Sequence, residues 1–239
     1  MKKTIGFLLL LLLISCVNEV EQPQTESKTD DIFQYGTKNS LLTNIYTGNV
    51  TVGEIKKEGN FGLGTFNMID GEMVIYNGNV YQVLPSGKIN NMPSAIKVPF
   101  VVTKFFNPDT SFSLPNNISL DSAKVILQKI IGHKNLPAAI RINSHFDSLK
   151  CRSVYKVKNN SVSLAEIIAK QKIFNFADKE GTVIGFWYPD YFDGVNFSGF
   201  HFHVMLKNIS GGGHILNCKF GSAAVEIDFA SGVNVLMNK

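Results

Sequence analysis

The segment Gly199-Phe200-His201-Phe202-His203 carries two histidines at i and i+2, and Gly211-Gly212-Gly213-His214 brings a third. In a β-strand, a spacing of two puts both imidazoles on one face. Phe200, Phe202 and Val204 then point the other way, toward a core. A glycine run can turn the chain and return His214 alongside. Three imidazoles meeting at one point are the protein half of a catalytic zinc site, with positions left for water or substrate. Iron, nickel, cobalt and manganese suit the same ligands, because imidazole selects weakly among them. The H-x-H pattern also suits two polar residues on the wet face of a strand, and the glycine-led third histidine is what favours the metal.

Other chemistry-bearing residues are more ambiguous. Glu72 opens a strand just after Asp70-Gly71, where it reads as an exposed hairpin residue. Arg141 lies between Ile140 and Ile142, so it points away from the face they bury; it suits an anion site, or a solvated or carboxylate-paired arginine. Arg152 is a weaker candidate for that role. Cys218 lies close in sequence to the histidines and is a weak candidate ligand. His133 and His145, at the ends of predicted elements, read as surface histidines, and the aromatic run 186–192 reads as a strand end packed on the core.

These residues need a framework. Thr51-Val52-Gly53-Glu54 and Ser163-Leu164-Ala165-Glu166 have the spacing of capping boxes, and open predicted helices to Lys57 and about Phe174. Ser119 to Ile131 reads as an amphipathic helix, with Val125, Ile126, Ile130 and Ile131 apolar and Gly132 as its stop. A shorter helix starts at Ser40-Leu41-Leu42. Phe61–Ile69, Glu72–Tyr76 and Asn79–Leu84 alternate with a period of two, joined by Asp70-Gly71 and Asn77-Gly78, both hairpin-turn dipeptides. Further strands are predicted at Val98–Phe106, at Ala138–Phe146 paired with Cys151–Val157, and at 182–188, 200–206, 214–220, 223–229 and 232–237. Clustered strands with a few helices predict a mixed α+β fold. It would comprise two mainly antiparallel or mixed sheet subdomains, 37–150 and 151–239, the second holding the metal.

The first residues predict export. Lys2 and Lys3 precede an apolar run from Ile5 to Ile14, and about ten helical residues span roughly 15 Å against roughly 30 Å of bilayer hydrocarbon. The run ends in Leu13-Ile14-Ser15-Cys16, which resembles a bacterial lipobox. The expectation is a signal peptide over 1–15 and a lipid on the Cys16 thiol. A polar tether over 16–36 would follow, with the chain held at a membrane of the cell envelope. The three cysteines then leave Cys151 and Cys218, enough for one bridge at most and best read as buried thiols. With 44% hydrophobic and 18% charged residues over 239 positions, the composition is that of a globular protein, and a scattered net charge of +4 gives no basic stripe for nucleic acid.

Taken together, the motifs resemble those of the α-acetolactate decarboxylase family. The matching stretches are Gly59-Asn60-Phe61-Gly62-Leu63-Gly64-Thr65-Phe66 through Asp70-Gly71-Glu72, then Ala139-Ile140-Arg141-Ile142, then Gly185 through Pro189 and Tyr191 to His203, and the Gly-Gly-His that ends in His214. The resemblance runs from about Ser40 to Leu236. It implies a two-domain α/β fold, usually a homodimer, with zinc held by His201, His203 and His214. It also implies Thr65, Glu72 and Arg141 as pocket residues, and conversion of a small 2-hydroxy-3-keto acid, (S)-2-acetolactate, to (R)-acetoin and carbon dioxide. In that reaction Arg141 would pair with the carboxylate, Glu72 would donate the proton, and Thr65 would bind substrate or orient Glu72. Asn143 and Asn217 depart from the family pattern, which has aspartates there. Two other readings fit an H-x-H strand. One is a cupin-like metal enzyme, which usually adds a glutamate that Val204–Ser210 lacks. The other is a non-enzymatic, ligand-binding envelope lipoprotein.

Overall fold

The structure, a computed structural model, describes residues 30–238. The leader and its lipidation candidate Cys16 lie outside the described residues. Strand β1 (Ile32–Tyr35) precedes two short helices, α1 (Lys38–Leu42) and α2 (Val52–Glu58). Next come β2 (Phe61–Thr65), β3 (Glu72–Tyr76), β4 (Asn79–Val83), β5 (Ile89–Asn91), β6 (Phe100–Lys104) and β7 (Thr110–Leu114). A two-residue β8 (Ile118–Ser119) leads into α3 (Leu120–Ile131). The rest is β9 (Ala138–Ser153), α4 (Leu164–Ala169), β10 (Lys172–Tyr188), β11 (Gly199–Leu206), β12 (Gly212–Phe229) and β13 (Val233–Leu236).

Both predicted capping boxes form. The Glu54 amide donates to Thr51 Oγ1 while the Thr51 amide donates to Glu54 Oε2, and Ser163 and Glu166 repeat the arrangement. On α3 the buried stripe is Leu120, Ala123, Leu127 and Ile131, and Val125 stays exposed. Helix α4 stops at Ala169 rather than near Phe174, because Lys172–Phe176 alternates and pairs with β9 instead. Asn77-Gly78 forms the expected tight turn, with both residues at positive φ. Asp70-Gly71 does not act alone: Met68 and Ile69 also take positive φ, so β2 ends at Thr65 and a loop returns to Glu72. Hydrogen bonds from the Met68 amide to Tyr46 O and between Asn67 and Gly48 hold that loop.

The strands form two sheets. The first has the order β13-β1-β6-β2-β3-β4-β5, antiparallel except for the parallel β13–β1 pair. The second has the order β11-β10-β9-β12-β7 with β8 on β12, and β11 also pairs β12, so four of its strands close on themselves. Helix α3 packs on the outer face of the second sheet and α2 on the outer face of the first, while Leu63, Val74, Phe100, Ile184, Phe186 and Tyr188 fill the space between the sheets. This mixed α+β architecture of stacked layers agrees with the fold class read from the sequence.

Several expected boundaries move. Ile32–Tyr35 is a strand between β13 and β6 with Ile32 fully buried, so the tether cannot extend to residue 36. Ala138–Phe146 and Cys151–Val157 do not pair with each other. They belong, up to Ser153, to one 16-residue strand, because β10 and β12 run beside it throughout and hold Asp147-Ser148 in the strand despite their aptitude for turns. Likewise 214–220 and 223–229 are one strand. A division at residue 150 falls inside β9, and β13 returns from the end of the chain to the first sheet, so the sheets are not the two halves of the chain.

A buried ion pair between β6 and β12 joins the sheets. Lys104 of β6 lies 3.1 Å from Asp228 Oδ1 of β12, with both side chains 1% exposed, and also pairs with Asp30. Asp228 Oδ2 accepts the Asn107 amide at 2.7 Å. Removing one partner of a buried pair strands the other charge, at a cost of about 3–5 kcal/mol. Lys104→Met is therefore expected to lower unfolding stability in urea by that amount; a loss under about 1 kcal/mol would show that the pair does not hold the sheets together.

Candidate active site

Register brings the histidines together. On β11, His203 lies opposite Ile184 of β10 on one side and opposite His214 of β12 on the other, and His201 shares its face one pleat away. Phe202 and Val204 enter the core beneath α3, as the alternation requires. The return of β12 depends on Gly213, whose φ is +135° and whose place a Cβ could not share, since it would lie 2.3 Å from Arg152 O. The three imidazoles each offer a nitrogen within 4.8 Å of the others, and His201 Nε2 lies 3.2 Å from His214 Nδ1.

These residues suit a metal ion. His203 Nδ1 sits 2.7 Å from Met73 O, a carbonyl that can only accept, so this nitrogen carries the hydrogen and Nε2 presents its lone pair. His203 Nε2 and His201 Nδ1 are buried with no hydrogen-bond partner. Burial, reinforced by the Arg152 guanidinium, pushes His201 down to about 3. Burial also holds His203 and His214 well below the usual histidine range, with His201 and Arg152 adding to it. The imidazoles are therefore neutral, as ligation requires.

Strand β3 supplies the acid. Glu72 is 5% exposed, not the exposed hairpin residue that its place after Asp70-Gly71 suggested, because the second sheet covers it. It lies 3.5 Å from His203 Nε2 and 3.3 Å from Arg152 Nη1. Burial raises its carboxyl to about 7 against the opposing pull of Arg152. Thr65 stands directly opposite Glu72 on β2, and its hydroxyl donates to Gly71 O at 2.7 Å, which fixes the peptide leading into Glu72. The next residue, Met73, supplies the carbonyl that orients His203, so a single strand positions both the acid and a ligand.

Arg141 is not in this group. Its guanidinium makes a two-pronged pair with Glu226, Nε to Oε2 at 2.6 Å and Nη2 to Oε1 at 2.9 Å, and lies over the Phe106 ring. Ile184 stands between it and His203. Arg152, the weaker candidate by sequence, lies in the cleft instead, in register with His214 and facing Glu72. Cys218 is also apart from the cluster: it is buried under α3, and burial pushes its thiol up to about 12, far from the thiolate that binds metal. Cys151 and Cys218 are free thiols.

The cleft at the histidines has a volume of about 310 Å³. Its lining combines polar groups, Thr65, Glu72, Arg152 and the imidazoles, with the apolar side chains of Leu41, Ile69, Phe100, Leu164, Ile168 and Phe197. A larger cleft of about 500 Å³, bounded by Tyr76, Asn143 and Lys207, contains none of the three histidines.

Fold and site together define a class: a two-sheet α+β protein with a histidine cluster able to hold a metal ion in its inter-sheet cleft. The profile of the alpha-acetolactate decarboxylase family matches residues 32–239, and the chain belongs to that family of carboxy-lyases. The alpha-acetolactate decarboxylase of Methylococcus capsulatus is 36% identical over 84% of this chain and 77% of its own length. That of Brevibacillus brevis is 35% identical over 82% and 69%. The crystal structure of the Bacillus subtilis enzyme superposes with a TM-score of 0.85 at 30% identity, covering 87% of this chain and 89% of that one. These likenesses bear out the family resemblance read from the motifs.

Proposed function

We propose that this chain decarboxylates 2-acetolactate to acetoin, with zinc held by His201, His203 and His214. The observation that carries the reading is the convergence of three neutral imidazoles, a buried carboxyl and an arginine in one cleft, in a member of this family. The metal, when bound, supplies Lewis-acid polarisation of the substrate's ketone and hydroxyl oxygens.

The chain's own residues do the rest. Arg152, in place of Arg141, pairs its planar guanidinium with the substrate carboxylate. That hold must stay modest, because the departing group leaves as neutral carbon dioxide and tight ground-state binding would slow its loss. The carbon that loses carbon dioxide must then gain a proton. Glu72, whose buried carboxyl titrates near neutrality, holds one beside the cluster and delivers it to a single face. Delivery from one side gives one enantiomer, which the family resemblance implies is the R form. Thr65 keeps Glu72 in place through Gly71, and the apolar wall takes the methyl groups and excludes water from the developing charge.

The decisive experiment measures acetoin released from racemic acetolactate by the purified, zinc-loaded chain, with its enantiomers separated chromatographically. The expected result is (R)-acetoin above the spontaneous rate, lost on chelation and restored by zinc. Metal-replete protein that yields no acetoin above the uncatalysed background overturns the proposal. The Lys2–Cys16 leader supports a lipid-anchored envelope location; metabolic labelling with a palmitate analogue, abolished in Cys16→Ser, is its test.

A further inference from the structure

The wall of the cleft beside His201 is held from outside the catalytic group. Phe197 stands edge-on to His201, with ring centroids 5.6 Å apart, and edge-on to Phe100 at 6.1 Å. It belongs to the segment 193–198 between β10 and β11, which carries no regular secondary structure. That segment is tied down by the first strand of the fold. Gln34 of β1 is fully buried, and its Nε2 donates to Val195 O at 2.8 Å and to Gly36 O at 2.9 Å. Its Oε1 accepts Asn196 Nδ2 at 2.8 Å, and Asn196 Oδ1 accepts the amide of Phe197 itself at 2.7 Å. Asn196 is 1% exposed. The backbone adds two bonds, Lys38 N to Val195 O and Asn39 N to Gly194 O, and Lys38 pairs with Asp193.

We infer that Gln34 and Asn196 form a positioning element of this site, one that holds Phe197 against His201 and so limits the size of the alkyl group the cleft accepts. Each polar atom of Gln34 is committed, and the peptide entering Phe197 is clamped by a side chain that is itself clamped. Buried amides so connected have one satisfied arrangement, and a loop shifted out of it would leave donors unpaired. The ring therefore forms a fixed wall rather than a mobile one. The polar groups of the lining engage the carboxylate, ketone and hydroxyl, so the alkyl substituents of the reacting carbons meet the apolar side chains, of which Phe197 is the one set against His201. The inference rests on the proposed function for the identity of the reaction, but not for the shape of the wall.

The test uses the full chain and compares kcat/KM for 2-acetolactate with that for its homologue bearing propyl in place of the 2-methyl group. Calorimetry on the zinc-loaded protein gives Kd for the corresponding non-reactive 2,3-dihydroxy-2-alkylbutanoates. The wild type is expected to prefer methyl by at least about tenfold, within the discrimination that hydrophobic pockets achieve. Phe197→Ala and Asn196→Ala narrow that ratio by about fivefold or more, through KM and Kd, and Phe197→Leu restores most of it. Asn196→Ser, which keeps an acceptor for the Phe197 amide, is the gentler companion and shifts the ratio less in the same direction. In the wild type, exchange of the Phe197 amide hydrogen is expected to be slow. A ratio unchanged in folded Asn196 variants, equal losses on both substrates, or fast exchange of that amide overturns the inference. A wild type that binds the analogues but releases no acetoin overturns the functional reading instead, and the Kd ratios still decide the wall.

Discussion

His203→Ala is expected to lose its tightly held metal on dialysis and to fall in kcat/KM by about a thousandfold or more. Lewis-acid polarisation contributes several kcal/mol, and each ~1.4 kcal/mol is tenfold in rate. Of the three histidines, His203 has the most firmly set ring: it is 1% exposed, and its Nδ1 is fixed on Met73 O. Removing it leaves two imidazoles and takes away the neighbour of the Glu72 carboxyl. Elemental analysis for zinc beside acetoin kinetics checks the result, with thermal denaturation to verify folding. A folded variant that keeps stoichiometric metal and ordinary turnover would remove the histidine cluster from the mechanism.

The arginines separate two assignments of the carboxylate site. Arg152→Met is expected to lower kcat/KM by about a hundredfold or more, chiefly through KM, because a charged pair to the substrate is lost in a buried cleft. Arg141→Met is expected to leave kcat/KM within about threefold. Its loss falls on stability, about 1 kcal/mol, since the Arg141–Glu226 pair is about one-quarter exposed and partly screened. Steady-state kinetics and urea unfolding on both variants decide the matter. The reverse pattern, with Arg141→Met inactive and Arg152→Met active, would return the role to Arg141.

Both arginines lie on β9, yet only Arg152 lines the histidine cleft while Arg141 pairs with Glu226. Across the closed sheet each is two strands from His203, Arg141 through Ile184 and Arg152 through His214. The residues of β9 that enter the core beneath α3 are even-numbered as far as Phe146 and odd-numbered from Leu149. The phase changes at Asp147, which pairs with neither neighbour: Asp178, at positive φ, is skipped beside it on β10, and the register slips around Phe220 on β12. Such bulges depend on how three strands fit together, so period-two reasoning from Ile140 and Ile142 carries no information about residue 152.

Short-range features were readable because their causes lie within a few residues. The hydroxyls of Thr51 and Ser163 meet amides three residues on, and Asn77-Gly78 supplies the positive φ values that its turn needs. His201 and His203 share a face because a strand repeats every two residues, wherever that strand goes. Long-range features were not. Nothing near Glu72 says that another sheet will cover it, raise its carboxyl to about 7 and set Arg152 against it. By itself the sequence determined the three histidines of the cluster, the starts of the helices at Val52, Leu120 and Leu164, and the family motifs, whereas the first helix begins at Lys38 behind Thr37, two residues before the predicted Ser40. Only the tertiary structure decided which arginine faces the histidines, how far the long strands run and where the first strand enters. Hydrogen-bond register and burial are settled between segments tens of residues apart, and local patterns do not encode them.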